Sequence, residues 1–423
     1  MPSLAHLQNS EQKHTHALGL YVHVPFCIHK CSYCDFNSWR EESSSAYQNF
    51  LETLVEEIES WVEYWRKEEI RFEVDTIFLG GGTPSLLSYE QMDKLGRCLK
   101  SLPLTQDVEI SMEANPETIS IEKLSSMAHM GVNRLSMGVQ SFNQASLDRL
   151  ERLCSPEKNR EALSLIDEFW CGRWSFDLMF ALPEQSLEDW KRDLKEAISY
   201  SPEHISAYEL TLTTQKAKTW KRAPQDELLE YYQYTEKYLA ENELDKYEIS
   251  NFCKAGKESR HNLKYWELKP FLGVGPGAYS LLNSDLLSGE NDRKKIAFGG
   301  HRKNPGPLQN WIQSVKLKRH LEKNTWELRS TKDHLCEKFS QGFRLRSGIN
   351  SQEFGLGNEM ASDFLNPFVK DGLLFLEDED KRWKTTLRGE EILDHVLTKI
   401  FERIEDWDPN LTQFSTAQMR EHF

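Results

Sequence analysis

The chain has 423 residues, with 52 Lys and Arg against 67 Asp and Glu, a formal charge of −15. That balance argues against the basic face a nucleic-acid binder needs, and no run of about 18 apolar residues is present to form a membrane-crossing helix. The length predicts two domains, and 39% hydrophobic with 28% charged residues fits a soluble globular protein.

Residues 1–16 are polar and lack the apolar core of a secretory signal, so none is expected. Residues 20–24 are apolar and β-rich and stop at Pro25, which reads as a buried strand. The loop Cys27-Ile-His-Lys-Cys31-Ser-Tyr-Cys34 follows. Its three thiols are one ligand short of a closed, structural four-thiolate site. Three thiolates suit a [4Fe–4S] cluster with one iron left open, and that iron can take the amino and carboxylate groups of S-adenosylmethionine (SAM). A zinc site or a chance grouping are the alternatives. Cys98, Cys154, Cys171, Cys253 and Cys336 are scattered and read as small hydrophobes. A reducing cytoplasm is the expected compartment.

Further β-rich runs lie at 76–79, 108–113, 134–139, 175–180 and 204–208. Helical periodicity falls between them at 46–67, 90–102, 121–130 and 187–200, with Gly131 placed as a helix-ending glycine. Six strand–helix alternations predict an α/β fold, a parallel sheet with helices outside. Ligands then collect at the carboxyl ends of the strands. After residue 208 the alternation stops. A helix is expected at 226–242 and a strand at 246–252, and 292–307 reads as a basic, Gly/Pro-rich, solvated loop. Helices at 331–343, 359–371 and 388–405, with a hairpin of 372–376 and 382–386 around the acidic turn 377–380, suggest a winged-helix-like module. Acidic residues at the wing favour a packing or lid role over DNA binding.

Several polar residues stand at the expected strand ends. Gly80, Gly81 and Gly82 strip side chains from the second, which allows a ligand close to the backbone or simply a tight turn. Glu113 ends the third, as a ligand for an amine or ribose hydroxyl or as a helix-capping carboxylate. Gln140 ends the fourth. Asp177 interrupts an apolar run in the fifth and needs a partner if buried; Arg152 is one candidate. His261, followed by Asn262, Tyr265 and Trp266, offers an imidazole beside apolar faces, as a haem requires, or a satisfied histidine packed in a domain junction.

The stretches Tyr-Val-His-Val-Pro-Phe-Cys, Gly-Gly-Gly-Thr-Pro, Glu-Ala-Asn-Pro and Arg-Leu-Ser-Met-Gly-Val-Gln-Ser-Phe together resemble the oxygen-independent coproporphyrinogen oxidase-like family of radical-SAM proteins, over about residues 19–281. The oxidase branch has a further cysteine where this chain has Phe36, and a longer N-terminal arm. His261, Asn262, Tyr265 and Trp266 match the motif of the haem-chaperone (HemW-type) branch. The resemblance implies a partial TIM-like (β/α)6 barrel over 17–250, after the lead 1–16, and a C-terminal helical, winged-helix-like domain over 251–423. It implies Cys27, Cys31 and Cys34 as cluster ligands. Tyr21, Tyr33, Gly81 and Glu113 would contact SAM. Gly82, Thr83, Gln140, Arg152 and Asp177 would line an adjoining SAM-related site, and His261 would face haem. Two departures are Tyr279 where the family has histidine after a glycine-rich turn, and Cys154 where histidine is common. The implied function is a cytoplasmic haem chaperone that hands haem to acceptor proteins, with room for a homodimer and for peripheral membrane contact. The rival is radical decarboxylation of coproporphyrinogen III; a cluster-sensing DNA-binding regulator is disfavoured by charge.

Overall fold

Six strands run in chain order across the middle of the molecule: β1 (His16–Val24), β2 (Phe72–Gly81), β3 (Leu104–Ala114), β4 (Arg134–Gln140), β5 (Arg173–Phe180) and β6 (His204–Glu209). Each pairs in parallel with the next. The crossovers are helical: α1 (Ser44–Lys67), α2 (Tyr89–Lys100), α3 (Ile121–Met130), α4 (Gln144–Arg149), α5 (Pro156–Phe169) and α6 (Leu187–Ser199). Each starts at a serine or asparagine whose side chain accepts a first-turn backbone N–H, and Ser88 and Ser186 complete capping boxes with Gln91 and Asp189. These caps satisfy donors that the first turn leaves unpaired. Gly131 closes α3 at φ 108°, the left-handed conformation that glycine adopts without strain. This computed structural model describes residues 15–210, 220, 223–287, 298–350, 357–377 and 381–407. The polar lead up to residue 14, residues 292–297 of the basic loop and 378–380 of the acidic turn lie outside the described residues.

The α/β expectation holds, and the six-unit core is an open, partial barrel. Beyond β6 the sheet continues with β7 (Asn251–Cys253), antiparallel to β6. Beyond β1 it continues with β8 (Phe271–Val274), parallel to β1, then β9 (Tyr279–Leu282) and β10 (Gly300–Lys303). Among the described residues the two edges do not pair with each other. The strand expected at 246–252 is instead two short strands, Asp245–Lys246 and Asn251–Cys253, that pair with each other across a turn. The sheet runs through Leu328, past the expected domain boundary at 250. A second apolar cluster, including Leu335, Phe339, Phe364, Trp383 and Ile400, forms the core of the C-terminal module. There Leu374–Glu377 pairs with Arg382–Thr385 as the expected wing, and Ile349–Asn350 adds a third strand.

The two faces of the central sheet differ. Leu18, Leu20, Val22 and Val24 of β1 are buried in the main core with residues of the helices. Period-two alternation puts Gly19, Tyr21 and His23 on the other face. Cross-strand register continues that face in layers. Gly19, Thr76 and Glu109 form the lowest layer, and Tyr21, Phe78, Ser111 and Arg134 the next. Glu113, Ser136 and Ser175 lie above them. Small and polar residues thus line most of the inside of the barrel, with Phe78 the exception in these layers. Helix α7 (Gln225–Ala240) packs outside, whereas α8 (Arg260–Trp266) closes the floor, its Lys264 bonded to Asp75 at 2.8 Å.

One buried carboxylate fastens α1 to the later half of the chain. Glu57 is fully buried and accepts from Gly275 N–H at 2.8 Å, Trp311 Nε1 at 2.9 Å and Asn304 Nδ2 at 2.8 Å, with Arg302 at 3.7 Å. Glu57→Ala strands an arginine and three donors in the core, a loss of about 3–5 kcal/mol in unfolding free energy. Urea denaturation checks this; a loss under about 1 kcal/mol would mean water replaces the carboxylate.

Candidate cofactor site at the barrel mouth

Pro25 ends β1, and the next two residues, Phe26–Cys27, pair with Trp39–Arg40. That short ladder pinches the base of the cysteine loop. Lys30 Nζ donates to the carbonyls of Phe36 and Ser38 at 2.7 and 2.9 Å, which folds the loop back on itself. Asn37 Nδ2 donates to Pro276 O and Gly306 O at 3.0 and 2.9 Å, and His23 Nε2 lies 2.9 Å from Asn37 O. Cys27, Cys31 and Cys34 are free, partly exposed thiols within this frame.

A relay of donors runs beneath the loop. Arg152 Nη1 lies 3.9 Å from Cys31 Sγ, and Arg152 Nη2 donates to Asn115 Oδ1 at 3.0 Å and to Gly138 O at 2.7 Å. Asn115 Nδ2 donates to Thr83 Oγ1 at 3.2 Å, and that hydroxyl points at Cys27 Sγ at 3.7 Å. Burial pushes the Cys31 thiol up and the Arg152 charge offsets it; burial likewise raises Cys27, offset by the Thr83 hydroxyl. The relay thus moderates a rise that burial still dominates at both positions. Tyr33 packs with Leu150, Met179, Leu182, Leu210 and Tyr208, so the loop after β1 reaches the ends of β5 and β6. Strand ends far apart in the sheet order meet here, which requires the sheet to curve.

The three glycines serve that convergence. A Cβ at Gly82 would stand 2.6 Å from Phe26 O, and Gly82 N–H donates to Val24 O at 2.7 Å. Gly81 has φ +104°, and a Cβ there would meet the His23 ring at 2.3 Å. A Cβ at Gly80 would meet Phe78 and Glu113 at 2.8 and 3.0 Å. The sequence left ligand approach and a tight turn open as reasons for these glycines; in the structure the space a Cβ would take is filled by the protein's own atoms.

Glu113 is partly exposed in the cleft and accepts from Gly81 N–H at 3.0 Å. Desolvation, then the Asp177 charge, raises its pKa from 4.5 to about 7. Asp177 is raised too, by burial, and is answered by Ser206, Tyr208, Arg134 and Ser136, the last at 3.3 Å. Its cation is thus Arg134, from deeper in the barrel, and Arg152, the candidate partner from sequence, is committed to the cysteine loop. Tyr21 Oη lies 2.9 Å from His23 Nδ1. Gln140 is buried at φ 68°, at a register shift between β4 and β5, with Oε1 lacking a partner. A left-handed non-glycine residue costs about 1–3 kcal/mol, and the irregular strand end re-aims its side chain. Its amide sits beside Arg152 and Asn115 around Gly138. So Tyr21, Tyr33, Gly81, Gly82, Thr83, Glu113, Gln140, Arg152 and Asp177 all gather around one mouth.

His261 is set apart from the mouth. It lies fully buried on α8, with Nδ1 2.9 Å from Thr76 Oγ1 and Nε2 2.9 Å from the Tyr265 hydroxyl. To bind a haem iron one ring nitrogen would have to give up its partner. Tyr279, in place of the family histidine, is exposed under Lys303 Nζ, 4.8 Å from its ring centroid. Cys154 is buried. Sequence reasoning passed over Asn115, Asn37 and Tyr208. Asn115 precedes a proline at a strand end, a turn signal that could have marked it.

The donor set fits an iron–sulfur cluster. Three free thiols share one loop, and a guanidinium and a hydroxyl stand against two of them. Among the described residues no three His, Cys, Asp or Glu side chains gather as around a single metal ion. A four-iron cluster takes each thiolate on a different iron, so it suits more widely spread ligands than zinc does.

Residues 21–197 match the model of the Radical SAM superfamily. The chain is 32% identical to an Escherichia coli protein named heme chaperone HemW, over 90% of this chain and 97% of that one. It is 33% identical to the Bacillus subtilis protein of the same name, over 82% and 89%. A Bos taurus protein, radical S-adenosyl methionine domain-containing protein 1, mitochondrial, is 32% identical over 92% and 88%. The solved structure of coproporphyrinogen III oxidase (HemN) from Escherichia coli superposes with a TM-score of 0.73 at 21% identity, covering 93% of this chain and 92% of that one, which shows a shared fold.

A carboxyl group with a raised pKa holds its proton longer in the folded chain than in the unfolded one. Glu113 therefore costs stability as pH rises from about 4.5 towards 7. Glu113→Gln cannot ionise and still accepts from Gly81. Relative to the native protein it should gain up to about 3 kcal/mol between pH 4.5 and pH 8, read from urea unfolding without cofactors. A pH-independent difference would mean that the cleft solvates the carboxylate.

Proposed function

The chain belongs to the HemW-type branch of the radical SAM superfamily, and from that premise we propose that it is a cytoplasmic haem chaperone. In this reading it binds a [4Fe–4S] cluster, SAM and haem, and delivers haem to an acceptor protein. The observation that carries the proposal is the match to proteins named heme chaperone along nearly their whole length. Cys27, Cys31 and Cys34 would hold the cluster, which would offer an open iron to SAM and supply it with an electron. Tyr21, Tyr33, Gly81 and Glu113 frame SAM on that side. Gly82, Thr83, Gln140, Arg152 and Asp177 line the adjoining space. Ionised Glu113 is a fitting partner for the SAM ammonium, and the unpartnered Gln140 oxygen is an acceptor for a ligand donor. His261 is the imidazole the branch motif offers to haem, and α8 would have to shift to present it.

The rival is the oxidase. Phe36, exposed two residues past Cys34, stands where the oxidase pattern has a cysteine. Propionates of coproporphyrinogen also need cations, and Arg152 is already held by Asn115, Gly138 and Cys31. No helix among the described residues is long and apolar enough to cross a membrane.

Two outcomes follow for anaerobically reconstituted protein. Four irons and four sulfides per chain are expected, with the brown chromophore lost in Cys27→Ala, Cys31→Ala and Cys34→Ala; retention of the full cluster in all three rejects the ligand set. Cluster-replete protein should give a Soret band on haem titration and no protoporphyrinogen from coproporphyrinogen III with excess SAM and reductant. Turnover above the Cys31→Ala background would make it an oxidase.

A further inference from the structure

Helix α8 stands inside the barrel, directly below the cleft. The His261 ring stacks with Phe78 at 5.4 Å and 24°, and Phe78 stacks with Tyr21 at 6.3 Å and 26°. A Cβ at Gly80 would meet Phe78 Cε1 at 2.8 Å and the Glu113 carboxyl at 3.0 Å, so Phe78 also abuts the carboxylate side of the cleft. Tyr21 reaches His23, and His23 reaches Asn37 O in the cysteine loop. One connected column thus runs from Thr76 at the floor, through His261, Phe78, Tyr21 and His23, to the loop that carries the thiols. Its lower end is fixed twice over. Glu109 accepts the backbone N–H of His261 at 3.1 Å, and both ring nitrogens have partners. Burial, then the Lys264 charge, lowers the His261 pKa to about 3, so the ring is neutral and stacks without desolvating a charge.

We infer that His261 is a positioning residue for SAM: with Tyr265 it sets the height of Phe78, and through it the placement of Tyr21 and Glu113. This rests on the reading of that cleft as the SAM site. This role is separable from the haem contact proposed above, because the two differ in what they require of residue 261. An iron ligand needs a nitrogen, whereas a prop needs a flat ring at that height.

The test uses full-length, anaerobically reconstituted protein and electron paramagnetic resonance of the reduced cluster during SAM titration. His261→Ala should keep its iron and sulfide content but need about fivefold more SAM, or beyond, for the same spectral change. His261→Phe restores a ring against Phe78 and cannot bind iron; it should recover most of that loss. Equal SAM affinity in the native protein and His261→Ala overturns the inference, as does His261→Phe behaving like His261→Ala. If His261→Ala loses its cluster, Tyr265→Phe decides, since it removes one hydroxyl only: weaker SAM binding supports the prop, and unchanged binding overturns it. No spectral response to SAM in the native protein overturns both the inference and the SAM site.

Discussion

Burying an ionisable side chain costs several kcal/mol unless something answers it, and the inner face of this sheet carries Glu109, Glu113, Asp177 and Arg134. Each layer of the barrel is arranged around that demand. Glu109 is answered from below, by the first backbone N–H groups of α8. Asp177 is answered by hydroxyls from β4 and β6 and by the Arg134 charge. Glu113 has only the Gly81 N–H and a like charge nearby, so its pKa climbs to about 7. The residue left least satisfied by the protein is the one at the cleft, which is where a cationic ligand group would complete it. Serines at 111, 136, 175 and 206 keep the interior small as well as polar, leaving height for α8 below.

The mouth is organised by a second requirement, that thiols on a loop after the first strand be held by groups from later strands. Arg152 meets it by spanning Cys31, Asn115 and Gly138, and Thr83 extends the chain of donors to Cys27. The conservative replacement of Arg152 by lysine would keep a charge but could not reach all three acceptors at once. Tyr33 adds an apolar anchor on the far side.

Much of this was legible in the sequence because it follows local rules. Strand β1 stops at a proline, the helices start at serines, and the cysteine spacing is confined to eight residues. Gln140 and Asp177 were conspicuous for a polar group at or within an apolar run. What stayed hidden depends on pairing between distant segments. The partner of Asp177 is set by the register of β4 against β5, which no spacing within one strand reveals. The short strands at 251–253 and 271–274 return to opposite edges of the same sheet, so a change in sequence texture near 250 did not mark its end. His261 looked available because an imidazole beside aromatics has the same pattern whether it faces a ligand or the inside of a barrel. Its enclosure depends on Thr76, a residue 185 positions away.

The seating of the cysteine loop also fixes an order of events in biogenesis. Asn37 is held by the carbonyl of Gly306, 269 residues later, and β1 gains its second neighbour only when β8 has formed. A chain emerging from the ribosome, N-terminus first, carries its three cysteines for most of synthesis on a segment with one edge of β1 bare and the loop untethered. Anything that bound these thiols earlier would meet a loop not yet held in place. The loop is therefore seated only after the chain has been made through Gly306, and until then its three thiols are the stage most open to stray oxidation.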